Sequence, residues 1–317
     1  MNQSTTKADK PWLRVSYSSL NTFKFCNRKF EFAKIYGQFK ERADEQSIPA
    51  AVGQAFHLAY QAFIEHRNLD KACWTLLANY PWELDMYDEK NRRTWEVTLS
   101  TFLEACDKFA LGDYTLMTFD HPTRGLIPCV EVPFELRFVN TEIEGYAGIA
   151  FIGYIDLILR SRYGTTVRTE DIKTHQSYIK DRTAEYKYNA QQIPYGIVVE
   201  HLLGHKIESF EVGYIDCFLD LVEPRVVEYV YEKTQTDLQE WLTQRLLEFR
   251  QIKQMLEINM FPRRENGCTA YNYPCKFLDI CASRNRENIT AWFGQFLDID
   301  DSWDPWVVME IDMGVKL

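Results

Sequence analysis

The order of apolar and polar positions divides the chain into a helical first part and a later part in which strands alternate with helices. From Ser18 to Tyr36, Phe23, Phe30, Phe32 and Ile35 supply an apolar helical face, and Gly37 can stop the helix. Residues 38–49 are charged and read as a mobile connector. Ala50 to Glu65 predicts a second helix, with Val52, Phe56, Ala59 and Phe63 on one stripe. Leu69 to Leu77 and Thr94 to Leu111 continue the helical region. At Cys129 the period falls to two. Val130, Val132, Phe134, Leu136 and Phe138 share one side of a strand over Cys129 to Val139, and Glu131, Glu135 and Arg137 take the other. Ala147 to Leu159 and Val167 to Lys173 read as further strands, with a turn at Tyr163-Gly164, which predicts an antiparallel meander. Ala184 to Leu203 reads as a helix ended by Gly204, in which Pro194 marks either a kink or the true start. Ile207 to Phe218 and Arg225 to Tyr231 are strands. Thr234 to Ile258 is a long helix with Leu238, Leu242, Leu246, Phe249, Ile252 and Leu256 on or near its buried stripe. Three strands, a helix and two more strands predict a mixed α/β core. No internal repeat is evident.

Composition narrows the class. A chain of 317 residues is one large domain or two modest ones, and 46% hydrophobic with 26% charged residues excludes disorder throughout. No long charge-free apolar run offers a membrane span. The polar stretch Met1 to Lys10 lacks a signal-peptide core, which predicts a mobile start and a cytoplasmic protein. A net charge of -10 argues against polyanion binding by the whole surface and leaves room for one basic groove. The aromatic content of 15% serves the core, with some residues free to stack on bases.

The eight cysteines divide in two. Cys73, Cys106, Cys129 and Cys217 fall in helical or strand patterns and read as small apolar core residues. Cys268, Cys275 and Cys281 lie in a loop-rich segment broken by Gly267, Asn272 and Pro274, which has little apolar reason to be ordered. A metal centre would supply one. Three thiolates leave a fourth ligand missing, and Cys26, in FKFCNRKF, is the natural candidate. Four unrelated free thiols are the alternative.

Two short segments carry chemistry. Asp156 lies in the apolar strand GYIDLIL, where an ionised carboxylate is costly unless paired or bound to a metal. Asp171 and Lys173, in TEDIKTHQ, are two residues apart and share one face of a strand, with Ile172 opposite. A short turn can bring the two aspartates together, and their repulsion calls for a cation between them. That arrangement suits phosphodiester hydrolysis, with Lys173 positioned for the charge that grows in the transition state. Taken alone, Asp-x-Lys is more often a surface ion pair. His57 lies on the second helix, with Gly53 one turn earlier to permit close approach. It is either a packing residue or a nitrogen ligand for Mn²⁺ or Mg²⁺. Gln191 and Tyr195 share one helical face and can reach a phosphate or a base.

In this order the pieces resemble the PD-(D/E)XK nuclease superfamily, and within it the RecB-like branch that carries an iron–sulfur cluster and includes helicase-linked and CRISPR-adaptation nucleases. The resemblance rests on VSYSSLNTFKFCNRKF, Gly53 to His57, Gly153 and Asp156, Asp171 with Lys173 and Thr174, Gln191 with Tyr195, and Cys268, Cys275 and Cys281. It covers about Ser16 to Cys281. Two departures are a longer helical region between His57 and Cys129, and Asn27 where the family often has Pro.

The resemblance implies an α/β fold with a mixed central sheet flanked by helices, a restriction-endonuclease-like core. To this are added an N-terminal helical region and a Cys-bound C-terminal segment. The implied layout is a flexible start over 1–15 and a helical region over 16–128 carrying Cys26 and His57. The nuclease core follows over 129–258, an iron–sulfur segment over 259–290 and an acidic aromatic tail over 291–317. His57, Asp156, Asp171 and the carbonyl of Ile172 are implied to hold Mg²⁺ or Mn²⁺. Asp156, Asp171, Lys173, Gln191 and Tyr195 are implied to be catalytic. Cys26, Cys268, Cys275 and Cys281 would hold a structural [4Fe–4S] cluster. The implied activity is a DNA exonuclease acting on single-stranded ends in recombination, repair or replication. A partner-dependent DNA-binding subunit, beside a helicase or in spacer capture, is the alternative, and a zinc-stapled protein without a DNA role is a third. Self-association is compatible with all three. Arg28, Lys29, Arg263 and Arg264 flank the cysteines and predict a local positive rim for DNA.

Overall fold

The computed structural model describes residues 10–35, 48–82, 93–108, 112–143, 145–175, 181–219, 224–264, 268, 275, 277–282, 303–312 and 314. Nearly all of the expected mobile start, most of the charged connector, the breakers Gly267, Asn272 and Pro274, and the tail residues Trp292, Asp298, Asp300 and Asp301 lie outside them.

Strand β1 (Trp12–Val15) leads into helix α1 (Tyr17–Phe25). A reciprocal cap starts α1: Ser16 Oγ accepts from the Ser19 N–H at 3.3 Å, and the Ser16 N–H donates to Ser19 Oγ at 2.6 Å. The single helix expected to Tyr36 is interrupted. Cys26 is extended, with φ -155°, and its N–H closes α1 on the Thr22 carbonyl. Helix α2 (Asn27–Phe30) then resumes and passes into a π-helical turn, Glu31–Ile35. Next come α3 (Ile48–His66), α4 (Leu69–Asn79), capped by Asn68, and α5 (Trp95–Lys108). Three short strands absent from the periodicity follow: β2 (Tyr114–Leu116), β3 (Thr118–His121) and β4 (Gly125–Pro128), the last two forming a hairpin. Then come β5 (Val130–Phe138), β6 (Gly148–Ser161) and β7 (Val167–His175).

The helix expected over Ala184 to Leu203 is two helices, α6 (Thr183–Lys187) and α7 (Tyr195–Leu203). Pro194 is the N-cap of α7, so it marks the start of the helix rather than a kink, and Gly204 ends it at φ 72°. The chain closes with β8 (Ser209–Phe218), β9 (Arg225–Thr234), α8 (Gln235–Glu257), α9 (Leu278–Ala282) and β10 (Val307–Ile311). Among the described residues, no helix is long and apolar enough to cross a membrane.

The chain divides into two compact units. The first comprises residues 1–43, 133–153 and 242–317. Here β1 runs parallel to the start of β6 and β10 parallel to β5. Glu135 is fully buried on β5 although the alternation gave it the polar side. Arg14, Arg137 and Trp303 Nε1 satisfy it at 3.0, 2.6 and 3.0 Å.

The second unit comprises residues 44–132 and 154–241. Its strands run in the order β2-β6-β7-β8-β9. The β6–β7 and β8–β9 pairs are antiparallel and β7–β8 is parallel, so the sheet is mixed. On one face Phe56 and Tyr60 of α3 and Phe102 of α5 bury against Leu157, Leu159, Ile215 and Cys217. On the other, Tyr186 of α6 stacks on Tyr214 at 4.2 Å, beside Phe210 and Val212. Each such buried side chain is worth about 1.5–3 kcal/mol, enough to override the weak local signal of α6. Ile172 packs on the α3 face, so Asp171 and Lys173 take the opposite one, as the two-residue period requires.

Candidate active site

The second unit brings His57, Glu131, Asp156, Asp171 and Lys173 to one place. Helix α3 delivers His57. One turn earlier, a Cβ on Gly53 would stand 3.1 Å from Thr174 Oγ1, so glycine allows the close approach. The approaching atom is a side-chain hydroxyl near the end of β7 rather than a backbone. His57 Nδ1 lies 3.9 Å from Asp156 Oδ2, and Nε2 hydrogen-bonds Glu131 Oε1. Glu131 has φ 50°, a left-handed conformation rare for a residue with a side chain. This breaks the alternation of β5 and brings its carboxylate to His57. Glu131 is the site residue that the sequence reading missed. The only signal was a carboxylate in an apolar strand, and strict alternation placed it outside.

Asp156 Oδ2 accepts from the Ile172 N–H at 3.1 Å. Asp171 is buried, and Lys173 Nζ reaches its two oxygens at 2.7 and 3.0 Å. Burial and then the charge of Asp171 push the Asp156 carboxyl up to about 8, with His57 opposing. For His57, burial disfavours the imidazolium. The Glu131 hydrogen bond and the charges of Asp156, Glu131 and Asp171 outweigh it and push the group up to about 9. Burial also opposes the Lys173 ammonium, but Asp171 and Asp156 raise its proton affinity, so it stays charged.

His57, Glu131 and Asp156 each present a ligand atom within 4.8 Å of the others. One nitrogen and two carboxylate oxygens converging beside a third carboxylate fit a divalent cation such as Mn²⁺ or Mg²⁺. Such a cation would relieve the repulsion that holds protons on the site. Asp171 and Ile172 stand on β7 beside this trio.

Gln191 and Tyr195 are brought together, but not on a shared helical face. Gln191 lies in the turn before α7, and Tyr195 is the first residue of the helix. Their side chains hydrogen-bond. The Tyr195 phenol is held well above its ordinary range by burial and then by Asp171 and Asp156. At 5% exposure Tyr195 has no free face for a base, which leaves it a hydrogen-bonding role. Its neighbour Gln192 is structural, bonding Thr169 Oγ1 and the Gly213 carbonyl at 2.7 and 2.9 Å.

In the first unit, Cys26, Cys268, Cys275 and Cys281 line one small cavity with Arg28, Lys29, Phe32, Arg263, Phe277 and Leu278. The Cys275 N–H donates to the Cys268 carbonyl at 2.8 Å. Phe32 meets Phe277 at 5.5 Å and carries the segment after Cys26 to the later cysteines. Burial raises the Cys281 thiol, Arg263 and Arg28 oppose it, and Cys26 and Cys268 add to it. Four thiols line this one cavity under basic side chains. Of the other four, Cys106, Cys129 and Cys217 are buried and Cys73 is half-buried.

The raised groups fix a pH dependence. Asp156 keeps its proton in the folded state from about pH 4 to 8, where the unfolded chain has lost it. His57 keeps its proton up to about pH 9. In both cases the folded state binds more protons, so stability of the metal-free protein falls as pH rises from about 5 to 9. Mn²⁺ should restore the unfolding temperature most at the alkaline end and release protons on binding. Thermal scans in a chelator and in Mn²⁺ across this range check it; parallel flat profiles would contradict it.

No match is found among curated proteins. Two solved structures are similar in part. One is a crystal structure of a candidate exonuclease from Eubacterium rectale, 14% identical, with a TM-score of 0.47, covering 89% of this chain and all of that one. The other is the crystal structure of SSO0001, 14% identical, with a TM-score of 0.28, covering 84% of this chain and 98% of that one. The family model of the PD-(D/E)XK nuclease superfamily matches residues 14–282, a span that holds every side chain assembled above. The chain belongs to the PD-(D/E)XK nuclease superfamily.

Proposed function

We propose that the protein is a metal-dependent DNA exonuclease of the RecB-like branch, cutting phosphodiester bonds from single-stranded ends. The observation that carries the reading is the convergence of His57, Glu131 and Asp156 beside the Asp171–Lys173 pair. His57, Glu131, Asp156 and Asp171, with the Ile172 carbonyl, would hold Mg²⁺ or Mn²⁺. The cation would supply Lewis-acid polarisation of the phosphoryl group and a more acidic water. Lys173, held charged by Asp171, sets its ammonium against the charge that grows on the phosphoryl oxygens. Asp171 orients the attacking water. Gln191 donates to the phosphate, and Tyr195 fixes Gln191 through their hydrogen bond. Cys26, Cys268, Cys275 and Cys281 hold a [4Fe–4S] cluster with a structural role, since hydrolysis has no redox step.

The basic rim contributes DNA affinity in the first unit. Arg28 is committed internally, to the Phe261 carbonyl at 2.8 Å and to Glu31 at 3.3 Å. Arg263 is exposed. Arg263→Glu is therefore expected to weaken single-stranded DNA binding and to flatten its salt dependence by about one counterion. Unchanged affinity and slope would remove the rim from the reading.

The test of function is cleavage by anaerobically purified protein with Mn²⁺ or Mg²⁺. Linear and circular single-stranded DNA, labelled at either end, are compared, with Lys173→Ala alongside. Digestion of the linear form alone, lost in the variant, is expected. Cutting of the circle would make the enzyme an endonuclease. DNA binding without cutting would favour a subunit that needs a partner.

A further inference from the structure

The residue two before Asp156 stands out on β6. Tyr154 is 50% exposed, while Ile155, Leu157, Ile158 and Leu159 are at most 2% exposed and Asp156 is half-buried. Strand β6 pairs with β7 over Leu157–Arg160 and with β2 over Leu159–Ser161, so Tyr154 stands three residues before the first of these registers. By strand alternation Tyr154 shares its face with Asp156, about 7 Å away. Isolated exposed aromatics are ordinary and carry no meaning by themselves. This one differs in place: it extends, on the same face, the carboxylate cluster to which His57, Glu131 and Asp171 belong.

We infer that Tyr154 is a stacking platform for the unpaired nucleobase next to the scissile phosphate, and that it gives the site its preference for single-stranded over double-stranded DNA. The inference rests on the proposed nuclease function. A base in a duplex has both faces covered by its neighbours and gains nothing from the ring. An unpaired base gains a partner whatever its identity, because every base has a π-face. Tyr154 is then a positioning residue. Stacking sets the sugar-phosphate backbone against Asp156 and contributes to substrate binding more than to the chemical step.

The experiment uses the full chain with its metals. Stacking by one aromatic is worth about 1–3 kcal/mol per base, so Tyr154→Leu, which keeps bulk without a π-face, should raise KM for single-stranded DNA about tenfold. The change in kcat should be smaller. Tyr154→Phe should restore the wild-type KM. In a Lys173→Ala background with Mn²⁺, which slows cutting, 2-aminopurine beside the scissile phosphate should be quenched with tyrosine or phenylalanine at 154 and not with leucine. An abasic nucleotide at that position should cost the wild type what the leucine variant has already lost. Wild-type cleavage with equal KM and equal quenching in all three proteins overturns the inference and leaves the nuclease reading intact. A wild type that neither binds nor cuts DNA with Mn²⁺ overturns both.

Discussion

Asp171→Ala is expected to lower the proposed DNA cleavage by about a thousandfold while the protein stays folded. Asp171 has two tasks in the proposed mechanism. It holds Lys173 at 2.7 and 3.0 Å, and it adds the third carboxylate beside His57, Glu131 and Asp156. Removing it frees the lysine and weakens the hold on the cation. The same change relieves Asp156, whose proton affinity Asp171 raises. The metal-free variant should therefore be no less stable than the wild type above about pH 6, and its pH dependence should be shallower. Loss of activity without loss of stability marks a residue kept for chemistry at a cost to the fold. Asp171→Asn, nearly isosteric, should lose activity similarly. Single-turnover cleavage and thermal unfolding of the three proteins decide the matter; cleavage within tenfold of the wild type would refute the role.

Much of this site was legible in the sequence because strand periodicity is strict. A carboxylate and an ammonium two residues apart on a strand must share a face, and an apolar Ile172 between them takes the face that packs on α3. Periodicity could not say which of two similar segments carries the chemistry. Gly-Tyr-Ile-Asp occurs twice, at Gly153 to Asp156 and at Gly213 to Asp216. Folding separates them. Asp156 meets His57, whereas Asp216 is fully buried, accepts from the Tyr186 hydroxyl and lies 2.9 Å from His175 Nε2. Those partners come from α6 and the end of β7, and no local pattern announces them. Glu131 escaped for a related reason: a single residue at positive φ breaks the alternation on which the reading depended. The break at Cys26 escaped because the flanking apolar residues keep helical spacing on both sides of it.

If the proposed cluster is present, Cys26→Ser is expected to remove its iron, bleach the visible charge-transfer absorption of the anaerobically purified protein and lower its unfolding temperature. Cys73→Ser, changed on a half-buried face of α4, should keep the colour. The size of the effect follows from chain connectivity. A cluster bound by Cys26 and Cys268 closes a loop of roughly 240 residues, and the chain-entropy model values such a link at about 5 kcal/mol. The apolar support at the cavity is small by comparison: Phe32 and Phe277 are its buried residues, with Ala33, Cys275, Ile280 and Cys281 packed against them. Among the described residues the segment buries little apolar surface, so on the proposed cluster loss of iron and loss of stability should occur together. The carboxylates and Lys173 belong to the other unit, and a structural cluster makes no contribution to their chemistry. Residual cleavage per folded molecule of Cys26→Ser should then approach that of the wild type at low temperature. A variant that keeps its fold and its DNA affinity but loses cleavage outright would show that the cluster does more than hold the chain.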